Sequence, residues 1–187
     1  MKTKGFSPQW LFAALLTVLA LVPSGTGYSQ SIDPGATIIV VRHAEKDTAQ
    51  TDPELSPEGY ERVKELTNML ASAKIVAIYS TQYKRTMNTV KPLSEKLGVP
   101  ITVVPHDRSR TVREYSEGLV KKILGEQLGK TVLISSHSNV APEIIRAFGI
   151  SDPPEIDDST YDDLFVVSKL SNGPASLLRL KYGKKSH

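Results

Sequence analysis

The sequence contains no cysteine. Disulfides, thiolate metal sites and lipid attachment through a cysteine are therefore excluded, and a folded domain must be held by its core alone. Long apolar runs are missing as well. The run from Trp10 to Val22 falls short of the roughly 20 residues that a membrane span needs. Neither sign of charge dominates. The 23 Lys and Arg against 20 Asp and Glu leave a formal net charge of +3, which drops to +1 when Lys2 and Lys4 are removed with the N-terminal segment. That balance argues against a nucleic acid partner, and Lys181, Lys184 and Lys185 read as a short solvated tail. There is no Gly-x-x-x-x-Gly-Lys-Ser/Thr loop, and no Gly-x-Gly-x-x-Gly follows the first strand. No Gly-x-Ser-x-Gly elbow surrounds Ser135, Ser136 or Ser138, which speaks against a serine hydrolase. No residue set has structural zinc spacing. Internal repeats are absent.

What is present fits one globular domain. The chain has 187 residues, 40% hydrophobic and 23% charged, enough for a single core and too few for two comfortable ones. The N-terminus is a separate object. Lys2 and Lys4 precede the apolar run, and Pro23, Ser24, Gly25, Thr26 and Gly27 follow it. This is the layout of a secretory signal peptide, with an uncleaved anchor over residues 8–23 as the rival reading. Residues 1–30 are thus assigned to a leader or anchor and residues 35–183 to the domain. The expected location is exported, periplasmic or secreted, with no stable membrane span in the mature form.

Apolar runs alternate with amphipathic stretches. Strands are expected at Thr37–Val41, Ile75–Tyr79, Ile101–Val104 and Thr131–Ser135. Ser56-Pro57-Glu58 opens a helix with a serine cap, a first-turn proline and an acidic residue at the positive end, and Val63, Leu66, Met69 and Leu70 form its inner stripe. Further helices are expected from Tyr83 to Leu97, closed by Gly98, from Val112 to Leu128, and from Pro142, in a first turn, through Glu143 to Phe148. The stretch from Ile150 to Asp163 reads as loop. Leu164–Ser168 and Ser176–Tyr182 read as a hairpin with its turn at Asn172-Gly173. Strands that are apolar throughout, alternating with helices, indicate a mostly parallel sheet covered on both faces, a three-layer α/β/α sandwich.

In such a sheet, ligands gather beyond the carboxyl ends of the strands. Arg42, His43, Ser80, Asp107, Ser136 and His137 all follow strands or lie in the next loop, so one edge collects them. Two histidines there suit chemistry on an anion. A neutral imidazole can attack phosphorus, leave as a phosphohistidine and pass the phosphoryl group to water. Guanidinium groups bind the phosphoryl oxygens by bidentate contact. Arg42 adjoins His43, and Arg85 stands early in a helix whose positive end favours an anion.

Four segments carry a resemblance. Arg42-His43-Ala44-Glu45 resembles the Arg-His-Gly-Glu signature of the histidine phosphatase superfamily, the phosphoglycerate mutase-like fold. Leu55-Ser56-Pro57-Glu58-Gly59 is similar to its Leu-Thr-x-x-Gly segment. Ser80 to Thr86 resembles its Ser-x-x-x-Arg-(Ala/Thr) segment, and Ser136-His137-Ser138-Asn139 its Gly-His-(Gly/Asn/Ser) segment. The resemblance covers about Ile38 to Gly149, in one order, and points to branch 1 and its short members resembling phosphohistidine phosphatases. It implies a phosphoryl acceptor at His43, phosphoryl-oxygen binding by Arg42 and Arg85, a fourth pocket member at His137, protonated during turnover, and chemistry that needs no metal or other cofactor. Ser80 and Ser136 would touch phosphate or serve the loop backbone. Lys46 would add charge at the pocket mouth or stand exposed.

The proton donor to a departing alcohol is the open part. Many family members use a glutamate after the third strand, and this chain has no full copy of that motif. Asp107 has the right topological position, Glu114 and Glu117 come later, and a good leaving group needs no dedicated acid. His106 would line the pocket or lie on the surface. Asp157, Asp158, Asp162 and Asp163, with Tyr161 among them, would cover the pocket mouth, hold a divalent cation or form a solvated loop. The resulting expectation is a phosphatase acting on a small phosphorylated molecule, with a protein phosphohistidine phosphatase or a non-catalytic binding module as alternatives.

Overall fold

The computed structural model describes residues 35–48, 51–107 and 109–186. The leader or anchor reading of residues 1–30 lies outside them. Six strands form one sheet: β1 (Ala36–Arg42), β2 (Ile75–Ser80), β3 (Ile101–Val103), β4 (Thr131–Ser136), β5 (Asp163–Lys169) and β6 (Ala175–Lys181). Four helices alternate with the first strands: α1 (Pro57–Leu70), α2 (Lys84–Leu97), α3 (Val112–Glu126) and α4 (Ala141–Ala147). The strand order is β3-β2-β4-β1-β5-β6. The first four strands pair in parallel, and β5 and β6 add an antiparallel margin beside β1.

The period of two along each strand divides the core into two layers. On β1, Ile38 and Val40 pack with Tyr115, Leu119, Ile123 and Ile144 of α3 and α4. The alternate residues Ile39 and Val41 pack with Leu66, Leu70, Val90 and Leu93 of α1 and α2. On β4, Val132 and Ile134 join the first layer and Leu133 the second. Each fully buried Ile or Leu contributes about 2 kcal/mol of transfer free energy. This is the three-layer arrangement that the apolar strands indicate.

The element boundaries move by a residue or two from the sequence reading. Tyr83 is the N-cap of α2 rather than its first residue. β3 stops at Val103, and Val104 bonds back to the Ser80 carbonyl. α3 ends at Glu126, and α4 starts at Ala141, one residue before the expected first-turn proline. Met69 is 48% exposed and does not belong to the buried stripe of α1. It sits at the stripe's edge, beside Tyr182 and Lys181, while Arg62 is buried instead.

Two local devices position the catalytic edge. Ser56 caps α1 by accepting from the Gly59 amide, and its own amide bonds the Glu45 carbonyl. A Cβ at Gly59 would lie 2.1 Å from that same carbonyl oxygen, so only glycine lets α1 approach the loop after β1. The bidentate pair between Arg62 and Glu45, with contacts of 2.7 to 3.0 Å, locks the same junction. Arg62 also donates to the carbonyls of Tyr182 and Lys184.

Candidate active site

The β1–β4 register sets the centre of the site. Arg42 stands opposite Ser136, so the next residues, His43 and His137, leave adjacent strand ends side by side. The His43 amide donates to the Ser136 carbonyl at 2.8 Å, and the two imidazole rings meet edge to face at 5.5 Å. They line a cavity of about 300 Å³ with Arg42, Arg85, Lys46, Tyr83, His106, Ser138, Asn139 and Asp158.

His43 is 3% exposed, and its Nδ1 lies 2.8 Å from the Ala44 carbonyl oxygen. A carbonyl only accepts, so Nδ1 carries the proton and Nε2 keeps its lone pair. Burial, against the favourable Ala44 hydrogen bond and with the nearby charges of Arg42 and Arg85, pushes the imidazole down to about 3. The ring is therefore neutral at pH 7, the form a nucleophile requires. Ala44 departs from the glycine of the signature without disturbing this. Its methyl is buried with Leu55 and Val63, and its amide donates to Thr89 Oγ1 at 2.9 Å.

Positive charge enters from two sides. Arg42 is buried under the loop before β5. Its Nη1 donates to the carbonyls of Asp157 (2.8 Å) and Thr160 (3.0 Å), and its guanidinium lies 4.1 Å over the Tyr161 ring. Arg85, in the first turn of α2, lies over Tyr83 at 4.6 Å with Nη1 3.6 Å from Asp52. The Nε atoms of both arginines are buried without a protein partner. Tyr83, which lines the pocket, also meets His137 edge to face at 5.3 Å, and the Tyr161 ring lies 6.0 Å from that of His43.

His137 is 8% exposed, with Nε2 3.1 Å from Thr81 Oγ1. Burial, and then the charges of His43 and Arg85, push it down to about 3. Among protein charges alone it is thus neutral, and a phosphoryl dianion beside it would favour the charged form.

The structure separates the remaining sequence candidates. Lys46, His106 and Asp158 line the pocket. Asp107 does not. It is exposed, accepts from the amide and hydroxyl of Ser109, and these bonds hold its carboxyl below the usual range, opposite to what an acid needs. Glu114 is likewise exposed and closes the capping box of α3 with Thr111, which lowers its carboxyl too. Glu117 pairs with Arg113 on the same exposed face. Neither serine lines the pocket, and Ser80 follows the alternative of serving the loop backbone. Ser80 Oγ donates to the Thr81 carbonyl, and Ser136 Oγ is sealed from the pocket.

The acidic cluster divides. Asp162 and Asp163 pair with Lys181 and Arg179 across the β5–β6 hairpin. Asp158 turns to the pocket, accepting from Ser138 Oγ at 3.0 Å and lying 3.8 Å from Arg42 Nη2. Among the described residues these aspartates do not converge on a place for a metal ion. Sequence reasoning missed Thr81, Tyr83 and Thr86. All three lie inside the segment that carried Arg85, but nothing in their types separates them from loop residues.

A sheet edge that presents a neutral histidine to two guanidinium groups and a second histidine suits phosphoryl transfer. The comparisons point the same way: residues 38–115 match the model of the histidine phosphatase superfamily, branch 1. That match supports a phosphoric monoester hydrolase of the histidine phosphatase type. Among curated proteins, none matches the chain. Solved structures share the fold. A mycobacterial glucosyl-3-phosphoglycerate phosphatase is 15% identical over 76% of this chain and 97% of its own, with TM-score 0.61. The protein histidine phosphatase SixA, solved with tungstate, is 16% identical over 78% and 96%, with TM-score 0.62. A phosphoserine phosphatase from Entamoeba histolytica is 13% identical over 76% and 94%, with TM-score 0.59. Among the described residues no helix is long and apolar enough to cross a membrane.

Proposed function

We propose that the protein hydrolyses a small phosphomonoester through a phosphohistidine on His43. The observation that carries this reading is the Nδ1 bond to the Ala44 carbonyl, which leaves Nε2 as a neutral nucleophile beside Arg42, Arg85 and His137. Nε2 attacks phosphorus, the P–O ester bond breaks, and the leaving oxygen takes a proton. Water then attacks the phosphohistidine, the P–N bond breaks, and phosphate and imidazole are released. Arg42, Arg85 and the charged form of His137 meet the negative charge that is redistributed in each transition state.

The small cavity supports a small substrate, and a phosphoserine phosphatase and a glucosyl-3-phosphoglycerate phosphatase share the fold. Asp158 is the carboxylate among the lining residues and stands as the proton donor or leaving-group contact. A second reading, phosphohistidine hydrolysis, is favoured by the positions of Asp107 and Glu114 outside the pocket, since an imidazole leaves readily. The leader read in residues 1–30 supports an exported enzyme.

The test is phosphate release from a panel of phosphomonoesters and a phosphohistidine peptide by residues 31–187, beside His43→Ala, with the acid-labile phosphoenzyme trapped in parallel. Turnover and trapping that both vanish in the variant support the mechanism, and the preferred compound selects between the readings. Turnover that survives in His43→Ala would overturn it.

A further inference from the structure

Behind His137 lies a chain of hydroxyl groups that the proposed chemistry does not yet use. Thr81 and Thr86 are both fully buried. Thr81 Oγ1 lies 3.1 Å from His137 Nε2 and 2.7 Å from Thr86 Oγ1. Thr86 Oγ1 in turn lies 2.8 Å from the Tyr83 carbonyl oxygen and 3.3 Å from the Thr81 carbonyl oxygen.

The protons along this chain can be ordered by counting. A hydroxyl has one proton, and a carbonyl has none to give. The Thr86 proton must therefore point at a backbone carbonyl, because two bare oxygens 2.8 Å apart would repel. Thr86 then has only lone pairs left for Thr81, so Thr81 donates to Thr86. Thr81 in turn has only lone pairs left for the imidazole, so His137 Nε2 must carry a hydrogen and donate it.

From this order, we infer that Thr81, backed by Thr86 and the Tyr83 carbonyl, is a positioning residue that fixes His137 as the Nε2–H tautomer and leaves Nδ1 as its proton-accepting atom. The reverse polarity would have opposed protonation. A threonine donating to Nε2 must turn away before the ring can become charged. An accepting threonine lets His137 take a second proton on Nδ1 with every bond in the chain intact. Resting on the phosphatase reading, Nδ1 is then the atom that takes a proton as a phosphoryl group arrives and returns it as the group departs.

The experiment is long-range ¹⁵N–¹H correlation spectroscopy on residues 31–187, with steady-state kinetics on an aryl phosphate. Thr81→Val keeps the shape and removes both bonds, and Thr81→Ser restores them. Wild type and Thr81→Ser are expected to show His137 as Nε2–H. Thr81→Val is expected to give a tautomer mixture and to lower kcat by on the order of 10- to 100-fold with KM little changed. The His43 signal, held as Nδ1–H by Ala44, reports in the same spectrum that each variant is folded. An Nδ1–H His137 in wild type, or a pattern indifferent to Thr81→Val in a folded variant, would overturn the inference. An ordered Nε2–H His137 in a protein that releases no phosphate would uphold it while removing the phosphatase reading.

Discussion

Arg42 shows how much one side chain settles. Its Nη1 is occupied by the carbonyls of Asp157 and Thr160, while Nη2 lies 3.8 Å from Asp158. A lysine keeps the charge but cannot reach two carbonyls and a phosphoryl oxygen from one planar fork. Arg42→Lys is expected to lower kcat/KM by on the order of 100-fold, read by steady-state kinetics with inorganic phosphate as the competing inhibitor. Asp158 carries a second expectation. Asp158→Asn should slow alkyl phosphates by on the order of 100-fold while leaving aryl phosphates, which need no proton, nearly unchanged. An equal loss on both would assign Asp158 to positioning alone. The sequence made the pocket's arginines and histidines legible because strand ends and short motifs fix Arg42, His43, Arg85 and His137 together. It did not reveal which carboxylate faces them. Asp107 and Asp158 both lie in loops, and their directions are set by Ser109, Ser138 and Arg42, partners that no spacing rule connects to them.

At the scale of elements, the strands were the most legible parts. Runs such as Ala36 to Val41 are apolar on both faces because helices cover both. The parallel order follows from the helices between the strands. The errors fall at helix ends and rims, where tertiary contacts decide. Met69 and Arg62 flank the same stripe on α1, yet the arginine is the buried one because Glu45 and two C-terminal carbonyls receive it. Arg62→Ala leaves the Glu45 carboxylate without its bidentate partner. The expected loss is about 3 kcal/mol, seen as a lower urea midpoint at unchanged slope. A loss under about 1 kcal/mol, the range of an exposed pair, would show that the α1 junction is held by Gly59 packing rather than by this ion pair.

Across the whole molecule, the site leaves a mark on stability. His43 and His137 are both held near 3 when folded, against an ordinary value of 6.5. Between these values the unfolded chain binds protons that the folded one refuses, so stability rises with pH through this window. It is fully present above about pH 6.5 and is lost as pH falls. Thermal unfolding scanned from pH 7 to 4 should show this decline, with a shallower slope in His43→Ala and His137→Ala. Equal slopes in all three would mean that other groups govern the acid limb. The sheet order carries a different consequence, one of timing. β1 is the first strand to be synthesised, yet its neighbours are β4 and β5, the latter ending at Lys169. Pairings so distant along the chain form slowly. A growing chain therefore holds its central strand open until almost the whole domain has been made, and Arg42 gains its Asp157 and Thr160 anchors only over that same late interval. For most of its synthesis the described domain is an unfinished sheet with its middle strand waiting.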